Sequence, residues 1–152
     1  MVEIYGENIK DLLCNNNENL KIWWSQKRGI YIDKCTTVPV VSEEEMFELF
    51  QMGNEAKRVW ETKLNTNSSR AHTLFMLELI QKFPNDSEKW GKLNLVDLAG
   101  SEKLSKNYAP GIVAEETKQI NLSLTSLGKV ISQLANRSDH ISYRDSKLTR
   151  IL

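Results

Sequence analysis

Residues 93–102 read Leu-Asn-Leu-Val-Asp-Leu-Ala-Gly-Ser-Glu, an apolar run that ends in an acid and then a glycine. The apolar positions predict a buried strand whose side chains alternate between two covered faces. Asp97 then falls at the carboxyl end of that strand, where open α/β sheets place their ligand sites. A carboxylate there can hold Mg²⁺ directly or through water, and Gly100 lets a backbone amide approach a phosphate. The pattern indicates a nucleotide sensor, although a buried strand that simply ends in a turn gives the same pattern.

Length and composition limit the class of protein. A chain of 152 residues, 40% hydrophobic and 26% charged, can bury one core and is expected to form one domain. The 20 basic and 20 acidic residues cancel. Net charge therefore gives no reason to expect a nucleic-acid or membrane partner, and an electrostatic partner must meet a local patch.

The chain has no membrane-spanning or secretory signal and few cysteines. No apolar run approaches the roughly 20 residues that span a bilayer, and the first residues lack a signal-peptide pattern. Cys14 and Cys35 match no metal-ligand spacing and are too few for a disulfide framework, so we expect reduced thiols in a cytoplasmic protein. The chain begins within an apparent strand and stops at Leu152 inside a helical pattern. We therefore expect a piece of a larger domain.

The first third of the chain predicts short strands around one helix. Residues 2–5 alternate apolar and polar side chains and predict a strand, whereas residues 7–13 predict a helix. Residues 20–24 and 29–32 predict the two strands of a peripheral hairpin.

Residues 42–45 predict a helix start with a capping box. Ser42 would be the N-cap residue, and Glu45, the third helical residue, would accept from the backbone amide of Ser42. An apolar stripe follows, and Gly53 is expected to end or interrupt the helix. Residues 54–67 are polar and predict a long loop. The apolar run at residues 73–80 then predicts a second buried strand. A short connection without a helix joins it to the strand that ends at Asp97, so the two strands should pair antiparallel.

The strongest helical signal lies at residues 115–136. Its predicted core stripe comprises Ile120, Leu124, Leu127, Ile131 and Leu134. The opposite stripe, which should face solvent or a partner, comprises Lys118, Leu122, Thr125 and Lys129. Residues 143–152 predict the start of another helix whose one face is basic, with Arg144, Lys147 and Arg150 at intervals of three. Such a basic strip is usually only a solvated face, unless an acidic partner exists.

Four stretches, taken together, resemble the kinesin motor domain. Residues 65–72, Asn-Thr-Asn-Ser-Ser-Arg-Ala-His, are similar to its first switch, and residues 95–102 to its second. Residues 119–135 resemble its relay helix, and residues 143–150, Tyr-Arg-Asp-Ser-Lys-Leu-Thr-Arg, its tubulin-facing segment. The resemblance covers residues 1–152 as the middle to later part of one motor domain. It implies an α/β fold, part of a P-loop-NTPase-like mixed central sheet with helices on both faces.

The resemblance implies ATP and Mg²⁺ as the ligands of the site. Ser69 would supply a hydroxyl to Mg²⁺, and Ser68 would contact phosphate or the attacking water. Asp97 would hold Mg²⁺ through water, and the amide of Gly100 would sense the γ-phosphate. Positioned donors of this kind suit phosphoryl transfer, which depends mainly on placement and electrostatics.

The resemblance also implies a latch and a partner surface. Arg70 and Glu102 would form the ion pair that closes the two switches, since a guanidinium and a carboxylate make a specific but breakable contact. The relay helix would carry a change at Gly100 to tubulin, an acidic partner. The expected tubulin contacts are basic residues: Lys129, Arg144, Lys147 and Arg150.

The chain departs from the family pattern in three places. None of its seven glycines begins Gly-x-x-x-x-Gly-Lys-Ser/Thr, so we expect the P-loop to lie before Met1 and the isolated chain to bind ATP poorly. Ala71 stands where the family usually has a second serine, which removes a hydroxyl. Leu122 stands where the relay helix usually has a lysine, which removes a cation from the expected tubulin face.

The first interpretation is a fragment of a microtubule motor that couples ATP hydrolysis to movement, located in the cytoplasm on the cytoskeleton. The alternative is a non-hydrolysing microtubule-binding module derived from such a motor. A GTPase-like switch built on Asp-x-x-Gly is a third possibility, which the serine-arginine motif and the basic helix oppose. The oligomeric state would be set by regions outside this chain.

Overall fold

The computed structural model describes residues 1–14, 17–26, 28–63, 70–100 and 112–152, with the backbone alone at 60–63 and 112–120. Six strands and three α-helices make up this part of the chain. In chain order they are β1 (Val2–Tyr5), β2 (Asn8–Asp11), β3 (Ile22–Ser25), β4 (Gly29–Ile32), α1 (Glu43–Lys63), β5 (Ala71–Lys82), β6 (Glu88–Asp97), α2 (Ile112–Ala135) and α3 (Lys147–Ile151). The α/β class predicted from the sequence is confirmed.

The main sheet has the strand order β2-β1-β5-β6, and its three pairings are antiparallel. β5 pairs with β6 as predicted, with Thr73 opposite Asp97. β6 is the edge strand of the described sheet. Leu93 is 48% exposed and Leu95 50%, so the prediction that this strand is buried is wrong in the described part of the chain. β6 is at the edge because no further described strand pairs with it, while Val96, on the face opposite these leucines, is half-buried against the core.

β1 and β2 form a tight hairpin where the sequence analysis placed a helix after the first strand. Gly6 takes a left-handed φ of 57° in the turn, a conformation that costs glycine little. Ile9 and Asp11 are fully buried and lie on the same face of β2. The helix prediction for residues 7–13 is wrong for two reasons. A segment this short does not form a stable helix by itself. The neighbouring strand β1 offers backbone hydrogen bonds, so residues 8–11 pair with it as β2.

α1 begins after Ser42 as predicted but runs well past the predicted end at Gly53. The Ser42 hydroxyl accepts from the amide of Glu45 at 3.2 Å, while the Glu45 carboxylate accepts from the amide of Val41, one residue earlier than predicted. The Met1 side chain packs against Gly53, where a Cβ would lie. This glycine therefore allows close packing rather than ending the helix. The predicted loop is wrong up to Lys63, and residues 64–67 lie outside the described part.

Apolar residues cover both faces of the main sheet. On one face α1 packs on the sheet, and the Phe50 ring meets the Phe75 ring edge-on at 5.3 Å between centroids. On the other face α3 and the β3–β4 hairpin, confirmed as predicted, enclose the larger cluster. Its buried members are Val2, Ile4, Ile9, Leu20, Ile22, Ile32, Leu74, Leu148 and Ile151. Helices therefore pack on both faces of the sheet, as the fold prediction required, around β1 and the first half of β5, whereas the end of β5 and most of β6 stay exposed.

α2 forms where the strongest helical signal lies, but its orientation differs from the predicted one. Its buried positions include two serines and a valine: Ser123, Ser126 and Val130. Ile131 is 57% exposed and Leu134 50%. The predicted core stripe is therefore wrong in the last turns of the helix. A polar contact accounts for the difference, because the Ser123 hydroxyl bonds the buried ring of His72 on β5.

The predicted solvent side of α2 is confirmed where the structure describes it, at Leu122, Thr125 and Lys129. Two leucines of the predicted core stripe are half-buried, Leu124 and Leu127. Two further positions have side chains outside the described part of the chain, Lys118 and Ile120. Neither α2 nor any other described helix is both long and apolar enough to cross a bilayer.

The last segment contains a break that the sequence analysis did not predict. Residues Tyr143–Asp145 form a 3-10 turn, and α3 begins only after Ser146, whose φ of −147° is extended. The Ser146 hydroxyl accepts from the amide of Thr149 at 3.1 Å, and the Thr149 hydroxyl accepts from the amide of Ser146 at 3.3 Å. This capping box starts α3 afresh. Arg144 therefore lies on a different element from Lys147 and Arg150, and the prediction of one helical face is wrong.

Candidate functional site

The described parts of the two predicted switches meet at one end of the main sheet. Thr73 opposite Asp97 is the last pair of the β5–β6 register. The chain that enters β5, which includes Arg70, therefore lies beside the chain that leaves β6 towards Gly100. Both of these residues are half-buried. The structure thus brings together the three predicted nucleotide-site residues that it describes, which are Arg70, Asp97 and Gly100.

Three predicted site residues lie outside the described part of the chain: Ser68, Ser69 and Glu102. Their roles at phosphate and Mg²⁺ stay predictions. The ion pair of Arg70 with Glu102 also stays a prediction, since only the arginine is described.

Asp97 carries an ion pair that the sequence analysis missed. Its side chain is 76% exposed, and its Oδ2 lies 3.3 Å from Nζ of Lys57, which is largely buried. Lys57 lies on α1, in the stretch that was predicted to be a loop. The spacing Met46, Phe50, Gly53 and Lys57 follows one helical face and could have located this lysine.

The chemistry of Asp97 fits the Mg²⁺ that the family resemblance implies. Mg²⁺ binds one or two carboxylates in most nucleotide sites, keeps several waters and shares the phosphate oxygens. An exposed carboxylate at a strand end meets that requirement. No cluster of three or more His, Cys, Asp or Glu side chains suited to a metal occurs in the described ranges. A site there would therefore use Asp97 and waters, with the predicted hydroxyl of Ser69, and would hold the metal firmly only with phosphates present.

His72 connects three elements at the site, although the sequence analysis gave it no role. Its side chain is 1% exposed. The amide of Ala99 donates to its Nδ1 at 3.0 Å, and its Nε2 lies 2.7 Å from the hydroxyl of Ser123. Burial lowers the pKa of His72 below its usual value, although the charge of Asp97 acts in the opposite direction. The imidazole is therefore neutral at physiological pH.

A basic cleft opens between β3 and α3. Its volume is about 350 Å³, and it is lined by Lys21, Ile22, Trp23, Lys147 and Arg150. One cation that precedes β3 and two cations of α3 line it together, beside a tryptophan that is 52% exposed. Lys21 was not predicted, because only the fold brings it next to α3.

The other two predicted partner contacts lie outside this cleft lining. Lys129 forms an ion pair with Asp145, with 2.8 Å between Nζ and Oδ2. Arg144 is exposed on the 3-10 turn. Of the four predicted partner contacts, two line the cleft, one is already paired and one lies on a separate element.

Comparison with known proteins identifies the family. A family model described as the kinesin motor domain matches residues 1–152. Kinesin-related protein 5 of Dictyostelium discoideum is 50% identical over 153 aligned positions, which cover 99% of this chain and 16% of that protein. A kinesin heavy chain of Botryotinia fuckeliana is 48% identical over 99% of this chain and 17% of its own length.

Solved structures agree with the sequence comparison. A fast kinesin superposes with a TM-score of 0.87 at 46% identity and matches 99% of this chain and 43% of its own. The motor and motor homology domain of Kar3Vik1 superposes with a TM-score of 0.84 at 36% identity over 99% of this chain and 40% of its own. The chain spans less than half of either solved chain and less than a fifth of either protein relative. It belongs to the kinesin motor-domain family.

Proposed function

We propose that this chain supplies the nucleotide switches and part of the microtubule-binding surface of a motor that couples ATP hydrolysis to movement along microtubules. The family membership supports this proposal, since the fast kinesin of the same fold is an ATPase that interacts with microtubules. The single observation that carries it furthest is the basic cleft of Lys21, Lys147 and Arg150. We also propose that the protein acts in the cytoplasm, on the microtubule cytoskeleton.

The nucleotide side of the proposal rests on the end of β6. Asp97 would hold Mg²⁺ through water, assisted by the hydroxyl of Ser69, and Mg²⁺ would neutralise charge on the phosphates of ATP. The amide of Gly100 would donate to the γ-phosphate, and Ser68 would position the phosphate or the attacking water. Arg70 would close the site by pairing with Glu102. These roles are supported by the convergence of the two switch segments at the β5–β6 end of the sheet.

Hydrolysis is proposed for a complete motor domain rather than for these 152 residues by themselves. A phosphate cradle of the P-loop type needs successive glycine amides and a lysine, and the printed sequence contains no such pattern. We therefore propose that the isolated chain binds ATP poorly and that its switches act together with a P-loop supplied elsewhere.

The microtubule side of the proposal rests on charge and shape. Tubulin is an acidic partner, and a cleft with three cations and a partly exposed indole suits an acidic segment with apolar side chains. Lys147 and Arg150 lie on a short helix whose apolar side, with Leu148 and Ile151, is fixed in the core. A rigid base of this kind keeps the two cations at a defined separation.

The test is co-sedimentation of the 152-residue chain with stabilised microtubules at low salt. Lys147→Glu and Arg150→Glu are each expected to weaken binding by about tenfold, since a like charge then faces an acidic partner. Lys89→Glu is the matched control, because it makes the same charge reversal at an exposed position on β6. Equal binding by all variants, or an equal loss in the control, would contradict the proposed surface.

The competing non-hydrolysing module is distinguished by nucleotide dependence. A motor has different microtubule affinities with ATP analogues and with ADP, because its two sites share one conformational equilibrium. Measured on a motor domain that contains this chain, identical affinities in both nucleotide states would favour the binding module over the motor.

A further inference from the structure

We propose that His72 is a positioning residue that links the loop carrying Gly100 to α2, so that a displacement of either one is passed to the other through the imidazole ring. The contact itself is independent of the proposed function. Its consequence for microtubule and nucleotide coupling rests on that function.

The hydrogen-bond chemistry fixes the state of the ring. The amide of Ala99 can only donate, so Nδ1 of His72 must accept and carries no proton. The proton of the neutral imidazole is therefore on Nε2, which donates to the hydroxyl oxygen of Ser123. A second proton on Nδ1 would place two donors face to face and break the contact with Ala99.

The link is stiff because water cannot replace either partner. Ala99 is 6% exposed and Ser123 is 1% exposed, so a broken bond would leave a buried donor without a partner. The ring is planar, and rotating it away from one partner also moves it away from the other. Ala99 directly precedes Gly100, whose amide is the proposed γ-phosphate sensor. The ring therefore joins the strand that follows Arg70, the loop after β6 and α2 in one contact.

The first experiment compares two buried serines of α2 in the full 152-residue chain. Ser123→Ala removes the acceptor of the ring without changing Ala99 or His72. Ser126→Ala is the matched control, since Ser126 is also buried on α2 and its hydroxyl has no contact with His72 among the described hydrogen bonds. We expect Ser123→Ala to raise the exchange rate of the Ala99 amide about fivefold or more, the range of a typical coupling free energy. The amide of Leu74, which is fully buried on β5, should keep its protection in both variants.

A spectroscopic signature separates positioning from simple packing. The ¹⁵N resonances of His72 should show an unprotonated Nδ1 and a protonated Nε2 in the unsubstituted chain. Ser123→Thr keeps a hydroxyl and should restore the exchange rate of Ala99, whereas Ser123→Ala should not. An unchanged Ala99 amide in Ser123→Ala, or an equal change in Ser126→Ala, would overturn the link.

The second experiment tests whether the link is used. The chain is sedimented with microtubules, and exchange of the backbone at residues 97–100 is measured by mass spectrometry in the bound and free states. Microtubule binding should change this exchange at least about threefold in the unsubstituted chain and in Ser126→Ala, and less than half as much in Ser123→Ala. The same change in all three would overturn the coupling role. A chain that does not sediment at all would instead contradict the proposed function, so the two failures are distinguishable.

Discussion

Nζ of Lys57 lies 3.3 Å from Oδ2 of Asp97, so an ammonium on α1 occupies one side of the carboxylate that ends β6. The lysine is mostly buried and the carboxylate is mostly exposed. The charge of Asp97 is therefore partly balanced by Lys57 on one side of the carboxylate. The other side is open to solvent, where a hydrated cation can approach.

Removing the ammonium should increase the affinity of Asp97 for a divalent cation. In Lys57→Gln we expect Mn²⁺, used as a paramagnetic probe for Mg²⁺, to bind about fivefold more tightly, because a nearby unit charge near the surface contributes about 1 kcal/mol. The measurement is line broadening of the Asp97 amide. Lys82→Gln, which removes the lysine of the exposed Lys82–Glu88 pair, is the control. Weaker binding in Lys57→Gln would mean that the lysine orients the carboxylate rather than competing with the cation.

The two cysteines should differ strongly in reactivity. Burial, followed by the nearby carboxylate of Asp11, raises the pKa of Cys35 from 9.0 to about 11. Cys14 is exposed. At pH 8 the thiolate fraction of Cys35 is then about a hundredfold smaller than for its usual pKa, and iodoacetamide should label Cys14 first. Mass spectrometry of Cys14→Ser and Cys35→Ser, labelled separately, measures both rates. Equal rates would contradict the environment described for Cys35.

Acid should destabilise the chain through His72. Its pKa is lower in the folded state than its usual 6.5, so the unfolded chain binds more protons between these two values. The stability from the neutral ring is complete above pH 6.5 and is lost as the pH falls through the folded pKa. Urea unfolding should therefore give a lower free energy at pH 5 than at pH 7, with His72 contributing to the difference.

The chain supplies its own control for that experiment, since it has two histidines and His140 is exposed. His140→Asn should keep the pH dependence, and His72→Asn should flatten it between pH 5 and 7. If the stability of His72→Asn still depended on pH in this range, other titratable groups would be its cause.

Asp11 should be the costliest carboxylate to alter in the first hairpin. It is fully buried, its Oδ1 accepts from the amide of Leu13 at 3.0 Å, and its Oδ2 accepts from the amide of Thr36 at 2.6 Å. In Asp11→Asn an NH2 group replaces one carboxylate oxygen. A donor then faces a backbone amide, which is also a donor, and that hydrogen bond is lost. We expect a loss of about 1–3 kcal/mol in the free energy of unfolding, measured with urea. Asp139→Asn, at an exposed position, should change it by less than about 0.5 kcal/mol.

The sequence allowed the end of β6 to be predicted because the signal there is local. An apolar run, an acid and a glycine define a strand and its end, and a short connection implies antiparallel pairing. The helix that contains Ser123 is long enough for the spacing of its apolar residues to predict it. Its orientation did not follow from the period, because the buried hydroxyl contact with His72 decides which side faces the sheet.

The missed features depend on contacts between distant residues. Gly53 suggests a helix end by itself, and only the packing of Met1 against it shows why the helix continues to Lys57 and beyond. His72 has partners 27 and 51 residues away, and a single histidine has no periodicity that would predict them. Lys21 joins Lys147 only after the sheet and α3 have packed.

The most direct test of the proposed function is the steady-state ATPase rate of a motor domain that contains these residues and a P-loop, measured with and without microtubules. We expect microtubules to stimulate the rate. Gly100→Ala should abolish hydrolysis with and without microtubules, and combined Lys147→Glu and Arg150→Glu should remove the stimulation at low microtubule concentration. A rate that does not respond to microtubules, or a Gly100→Ala variant that hydrolyses ATP normally, would contradict the assignment of a nucleotide switch and a microtubule surface to this chain.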